Sequence, residues 1–249
     1  MKNIISLLSL AVLILIGSSA CEKNKQKTTG ELEIEFEHLW GMDGTAFSLN
    51  TDYIHPMNGE ALNFSTFKYY ISNIILTKED GTQWKDSNSY YLIDLSKPTS
   101  LTLALSKIPV GTYKSMTYTL GVDSLRNVSG AQTGALSTTN GMFWNWNSGY
   151  IMLKAEGTSP ASSTGSFAYH LGGFSGQNNI VTTKTAVFDT EKLEINKDHA
   201  CSIHMSANPA KLFHADAIAN GASIMMPGTR AKAMSFNFYG SVIFEHLHN

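Results

Sequence analysis

His246 and His248 stand two residues apart at the end of a strand-like run, in FEHLHN. Side chains at i and i+2 of a strand share a face, so both imidazoles would project to one side, close enough to join one metal centre. Imidazole suits copper, nickel and zinc, and copper is the tightest of the divalent ions by intrinsic affinity. The same spacing relates His38 and Trp40 in LEIEFEHLW, on the apolar side of an alternating run. A histidine there serves either as a satisfied core residue or as a ligand, and spacing alone leaves both readings open. His55, in the turn-like DYIHPMNG, is the next candidate. His199, His204 and His214 have no partner at strand spacing and read as structural or exposed. Among ten methionines, Met225-Met226 falls in a long loop. Thioethers favour cuprous ion, against the competing role of filling a core. Asp94, Asp123 and Asp189 sit at strand ends, where carboxylates cap turns.

Catalytic signatures are missing. GGFSG at 172–176 lacks the spacing of a G-x-S-x-G elbow, and there is no HExxH, CxxC or CxxCH. Esterase, zincin, thiol-redox and covalent-haem chemistry are therefore unsupported, and the chain is not expected to be an enzyme. A formal charge of −2 with 15% charged residues gives no basic surface for nucleic acid.

The elements that must position these residues have the periodicity of strands. Leu32, Ile34, Phe36, His38 and Trp40 alternate with Glu31, Glu33, Glu35 and Glu37, a half-buried strand with one acidic, solvated face. Further strands are expected over 67–77, 90–95, 101–105, 113–120, 150–155, 166–171, 181–188, 193–196, 201–205 and 236–246. Asp80-Gly81 marks a hairpin and Pro109-Val110-Gly111 a corner. Only 211–220 suggests a short turn of helix. Many short strands without repeat or linker predict an all-β chain, a single antiparallel β-sandwich of Ig-like or jelly-roll-like type. Its long loops, 122–149 and 206–235, are of the length that tends to carry function.

The first 20 residues set the compartment. Lys2 is followed by an apolar stretch over 4–16, then by Gly17-Ser18-Ser19-Ala20-Cys21. A run of about a dozen residues is too short to span a bilayer and reads as a signal segment. Small residues before a cysteine suggest lipoprotein cleavage, with Cys21 the lipidated N-terminus; a plain signal peptide is the alternative. Residues 21–30 then form a flexible tether and 31–249 the domain. Such an anchor places the protein in the cell envelope on the outer membrane, at its periplasmic or surface face. Cys201, the other of two cysteines, has no intrachain partner in that case and reads as a small buried hydrophobe.

Trp144 and Trp146 share a face in GMFWNWNSGYIMLKAEG, and His170 ends the strand-like AYHLGG. With FKYYISNIILTKEDG at 67–81, IPVGTYKSMTYTLGVDSLRN at 108–127 and the terminal FEHLHN, these blocks follow one another across most of the chain. Together they resemble the MbnP-like family, copper-associated proteins of the bacterial cell envelope. The resemblance implies copper held by histidines beside a tryptophan oxidised to kynurenine, the oxidation installed by a dihaem cytochrome c peroxidase-like partner. Relatives from methane-oxidising bacteria carry a histidine soon after the GV…LN segment, where this chain has Asn127-Val128-Ser129-Gly130. His170, from the strongest histidine-bearing block, joins His38, His246 and His248 as candidate ligands. Trp40, Trp144 and Trp146 are the tryptophans that could line the site or be oxidised.

The expected function is thus copper handling at the cell envelope, with the metal as Cu(I). The competing expectation is a metal-free binding module that recognises a glycan or protein through the aromatic loop 140–150. Chain ends in sandwiches often lie close together. If the first and last strands are neighbours, His38 should approach His246 or His248. Ligand nitrogens of a preformed site should then lie within roughly 3 to 4.5 Å of one another.

Overall fold

The computed structural model describes residues 28–249 apart from 88, 131, 146–148 and 215, so Cys21 and Trp146 lie outside the described residues. In chain order the strands begin with β1 (Thr29–Trp40), β2 (Thr45–Ala46), β3 (Asp52–Ile54), β4 (Ala61–Lys78), β5 (Gln83–Lys85) and β6 (Tyr90–Asp94). β7 (Thr102–Pro109) runs into β8 (Gly111–Leu120) through the expected corner, and β8 leads to the short helix α1 (Ser124–Val128). Next come β9 (Phe143–Trp144), β10 (Gly149–Thr158), β11 (Ser166–Gly172), β12 (Thr182–Val187), β13 (Leu193–Ile195) and β14 (Cys201–Ala207). The chain finishes with β15 (Ser223–Ile224), helix α2 (Thr229–Gly240) and β16 (Ile243–His248).

The fold is the expected all-β sandwich. One sheet runs β16-β14-β1-β2, with β7 also on β1; the larger sheet runs β12-β8-β4-β10-β11-β15, with shorter strands along its members. Most pairings are antiparallel, but β1 pairs with β14 in parallel, as β11 does with β15. Alternation decides which face each β1 residue takes. Leu32, Ile34, Phe36, His38 and Trp40 are buried between the sheets, while Glu31, Glu33, Glu35 and Glu37 face outward. Phe36 meets Tyr69 of β4 edge-on, and Phe238 of α2 closes against Phe67 and Tyr69 at 5.1 Å each. Cys201 is buried and free, as its alternating context predicts. Asp123 accepts from the Arg126 backbone N–H as the N-cap of α1, so it serves a turn and not a metal.

Two expectations need correction. The strand placed at 236–246 is helix over its first five residues, and only 243–246 are strand. Ala231, Met234, Ser235, Phe238 and Tyr239 are the buried residues of α2, at spacings of three and four. SFNFYG reads locally as strand because its aromatics favour strands, but that three-four period is the helical one and tertiary packing follows it. The first and last strands are also not neighbours, because β14 lies between them.

A three-histidine candidate metal centre

The insertion of β14 between β1 and β16 builds a site that no spacing within one strand could show. Across the outer face of the smaller sheet, Glu35 of β1 is in register with His204 of β14, and His204 with His246 of β16. The adjoining row is Glu33, Ser202 and His248. Cys201, Ile203 and Met205 point into the core, which turns Ser202 and His204 outward.

The register of β14 against β16 shifts between His204 and Met205, leaving Glu245 as the extra residue of a bulge. In an unbroken strand Phe244 and His246 would share a face. The bulge re-aims the strand, so Phe244 packs against Phe188 at 5.2 Å while His246 and His248 stand in solvent beside His204. Glu245 accepts from the Ser206 hydroxyl, which pins the bulge to β14.

One ligand nitrogen from each of His204, His246 and His248 can be chosen so that all lie within 4.8 Å of one another, with His204 half-buried and the other two exposed. The His204 and His246 rings stack at 4.4 Å and 9°, and His248 stands nearly perpendicular to both. That spacing is slightly wider than a preformed site requires. Bonds of about 2.0 to 2.1 Å would need the nitrogens to close to roughly 3.3 Å, a movement within reach of two exposed side chains. Glu35 Oε2 lies 3.6 Å from His204 Nε2, and the Ser202 hydroxyl 3.3 Å from the same nitrogen. The Glu33, Glu35 and Glu37 row adds negative charge that favours a cation here.

The other predicted ligands lie elsewhere. His38 has the parity of the core residues of β1, and its Nε2 contacts the Tyr69 hydroxyl at 3.1 Å. Burial pushes its pKa down to about 4, so it is neutral and sealed from the outer face. His170 stands in register with Lys154, on β11 of the larger sheet. Its Nε2 lies 2.6 Å from Glu156 Oε1, and Lys154 Nζ reaches the same oxygen at 3.2 Å. The hydrogen bond from His170, followed by Lys154, outweighs desolvation and holds the Glu156 carboxyl down at about 2. The four-histidine set therefore divides: 246 and 248 come together, while 38 and 170 are separately engaged.

His55 is buried with both nitrogens used. Nδ1 accepts from the backbone N–H groups of Met57 and Asn58, so Nε2 carries the hydrogen and donates to the Ala210 carbonyl at 3.2 Å. Trp40 packs among Phe47, Tyr53, His55 and Phe64, with its indole N–H donated to Ile54. Trp144 is 5% exposed in β9, so neither described tryptophan candidate is open to solvent.

His204 was the residue missed by sequence reasoning. Its only local signal is the outward place it takes in the alternation of ACSIHM; its partners come from strands far away in the chain.

The chain matches the family model MbnP over residues 29–226, a span that includes His204 and stops short of His246 and His248. Among solved structures it is similar to MbnP from Methylosinus trichosporium, at 14% identity and a TM-score of 0.52, covering 88% of this chain and 98% of that one. At that identity the likeness speaks for the fold. No curated protein matches the chain.

Proposed function

This chain belongs to the MbnP family, and from that premise we propose that it is a copper-binding protein of the cell envelope, without catalytic activity of its own. The observation that carries the reading is the convergence of His204, His246 and His248 on the outer face of the smaller sheet. Three imidazoles are a sufficient donor set for copper, and an ion there would tie the last strand to its neighbour. Glu35, 3.6 Å from His204, adds a hard oxygen donor at the edge. Met205, the nearest thioether in sequence, points inward. That chemistry suits the cupric ion at this centre better than the cuprous ion expected from sequence.

The lipid anchor at Cys21 and attachment to the outer membrane belong to the same proposal. So does tryptophan oxidation by a dihaem peroxidase-like partner, for which Trp40, with the His55 ring edge-on at 6.5 Å, is a candidate beside an imidazole. The metal-free alternative has less support. Of the described aromatics in 140–150, Trp144 and Tyr150 are buried and Phe143 is half-buried, which leaves little exposed platform for a glycan.

Equilibrium dialysis against a mild chelator, followed by metal analysis, tests the reading. The mature protein should retain copper, and His204→Asn combined with His246→Asn and His248→Asn should lose the cupric fraction. Retention of cupric ion unchanged by the triple substitution would remove this centre from the proposal.

A further inference from the structure

A second cluster of soft donors lies where the turn after β3 meets the segment after β14. The buried His55 ring fastens the two together. Its Nδ1 holds the backbone N–H groups of Met57 and Asn58, and its Nε2 donates to Ala210 in the 3-10 turn Pro209–Phe213. That turn is anchored by the buried side chains of Ala210, Leu212 and Phe213. The next residue, His214, is exposed, and its backbone carbonyl accepts from the Asn237 side chain of α2. Both presenting segments are thus fixed from beneath, while the groups they present reach solvent.

Those groups are a thioether and an imidazole. Met57 Sδ lies 3.0 Å from His214 Nδ1. Met42, 91% exposed, lines the same pocket of about 70 Å³, and Met57 is itself 63% exposed. Both methionines line one pocket with the imidazole and stand largely in water, so they gain little from burial and core filling does not account for them. A soft ion would use all three. With metal–sulfur and metal–nitrogen bonds of about 2.3 and 2.0 to 2.1 Å, tetrahedral geometry sets sulfur and nitrogen roughly 3.6 Å apart. Met57 therefore has to swing by about half an ångström, which its three rotatable bonds allow.

The geometry points to a cuprous ion site formed by His214 Nδ1 and the Met57 and Met42 thioethers, positioned by His55. Lys211 also lines the pocket, and its ammonium opposes a divalent ion more than a monovalent one. The site shares no ligand with the three-histidine centre, so the two assignments stand or fall separately.

The test uses the full mature chain in which His204, His246 and His248 are all Asn, with methyl-labelled methionine. Silver(I) serves as a redox-inert probe, and Cu(I) is titrated against a chromophoric cuprous chelator. One equivalent of silver(I) should shift the methyl resonances of Met57 and Met42, each identified by its loss in Met57→Leu and Met42→Leu; zinc(II) should not. Cu(I) affinity should fall at least ten-fold in Met57→Leu and in His214→Gln. Unshifted Met57 and Met42 resonances, or Cu(I) affinity equal in both variants to that of their parent, would overturn the assignment. Both substituted side chains are exposed, so loss of the fold would not mimic the effect.

Discussion

His38 and Tyr69 meet across the interior, imidazole Nε2 to phenol oxygen at 3.1 Å, joining the two sheets by a buried polar contact. Burial holds His38 down at about 4. The unfolded chain, with its histidine near the ordinary value of about 6.5, takes up a proton first as the pH falls. Stability from the neutral ring is therefore fully present above about pH 6.5 and is lost progressively down to about pH 4. Chemical denaturation across that window should show a decline on the order of 3 kcal/mol, which His38→Gln should flatten. A decline equally steep in the variant would remove His38 as its source.

A second acid limb should lie lower. The Glu156 carboxyl is held at about 2 by His170 and then by Lys154. Its folded value is depressed, so its contribution is present above about pH 4.5 and is lost as the pH falls towards 2. Glu156→Gln should lower stability at pH 7 by about 1 kcal/mol and erase the limb between pH 4.5 and 2. The same substitution should leave copper retention at the three-histidine centre unchanged, since His170 lies on the other sheet. Metal analysis after dialysis checks that separation.

Gly172 should tolerate no side chain. A Cβ there would lie 2.6 Å from Trp144 Cζ3 and 2.8 Å from the Tyr150 carbonyl oxygen. Gly172→Ala should cost about 1 to 3 kcal/mol, as overpacked cores do, read as a lower denaturant midpoint with an altered Trp144 environment. A midpoint equal to that of the parent would mean that the indole has room to retreat.

Cys21→Ala should release the protein from membranes or block its maturation. A variant that still fractionates with membranes at its mature size would show that this cysteine carries no lipid.

Most of the sheet framework could be read from alternation, because a strand with one face in a core declares itself residue by residue. Leu32, Ile34, Phe36 and their outward glutamates are the clearest instance. The hairpin at Asp80-Gly81 and the corner at 109–111 followed from turn chemistry. Helix α2 was hidden because its buried positions are filled partly by aromatics that also suit strands. Two of the three histidines of the centre were legible as well: His246 and His248 share a face as their spacing predicts. His204 was not, because cross-strand neighbours depend on which strand lies beside which. Alternation tells inside from outside and carries no information on that order. His38 shows the converse, since parity with Leu32 and Ile34 gave its burial but not the phenol that receives it.

The parallel pairing of β1 with β14 brings Leu32 opposite Cys201. The strand that opens the described chain has no partner on that edge until Cys201–Ala207 are available. Contacts so distant in sequence incur their loop-closure entropy before they return stability, so they form late and slowly. A chain cut before residue 201 would leave that edge of β1 unpaired, and an unpaired strand edge invites association with other chains. Synthesis of β14 is therefore itself a folding checkpoint for this molecule: a strand far downstream decides whether β1 is sheltered on that edge.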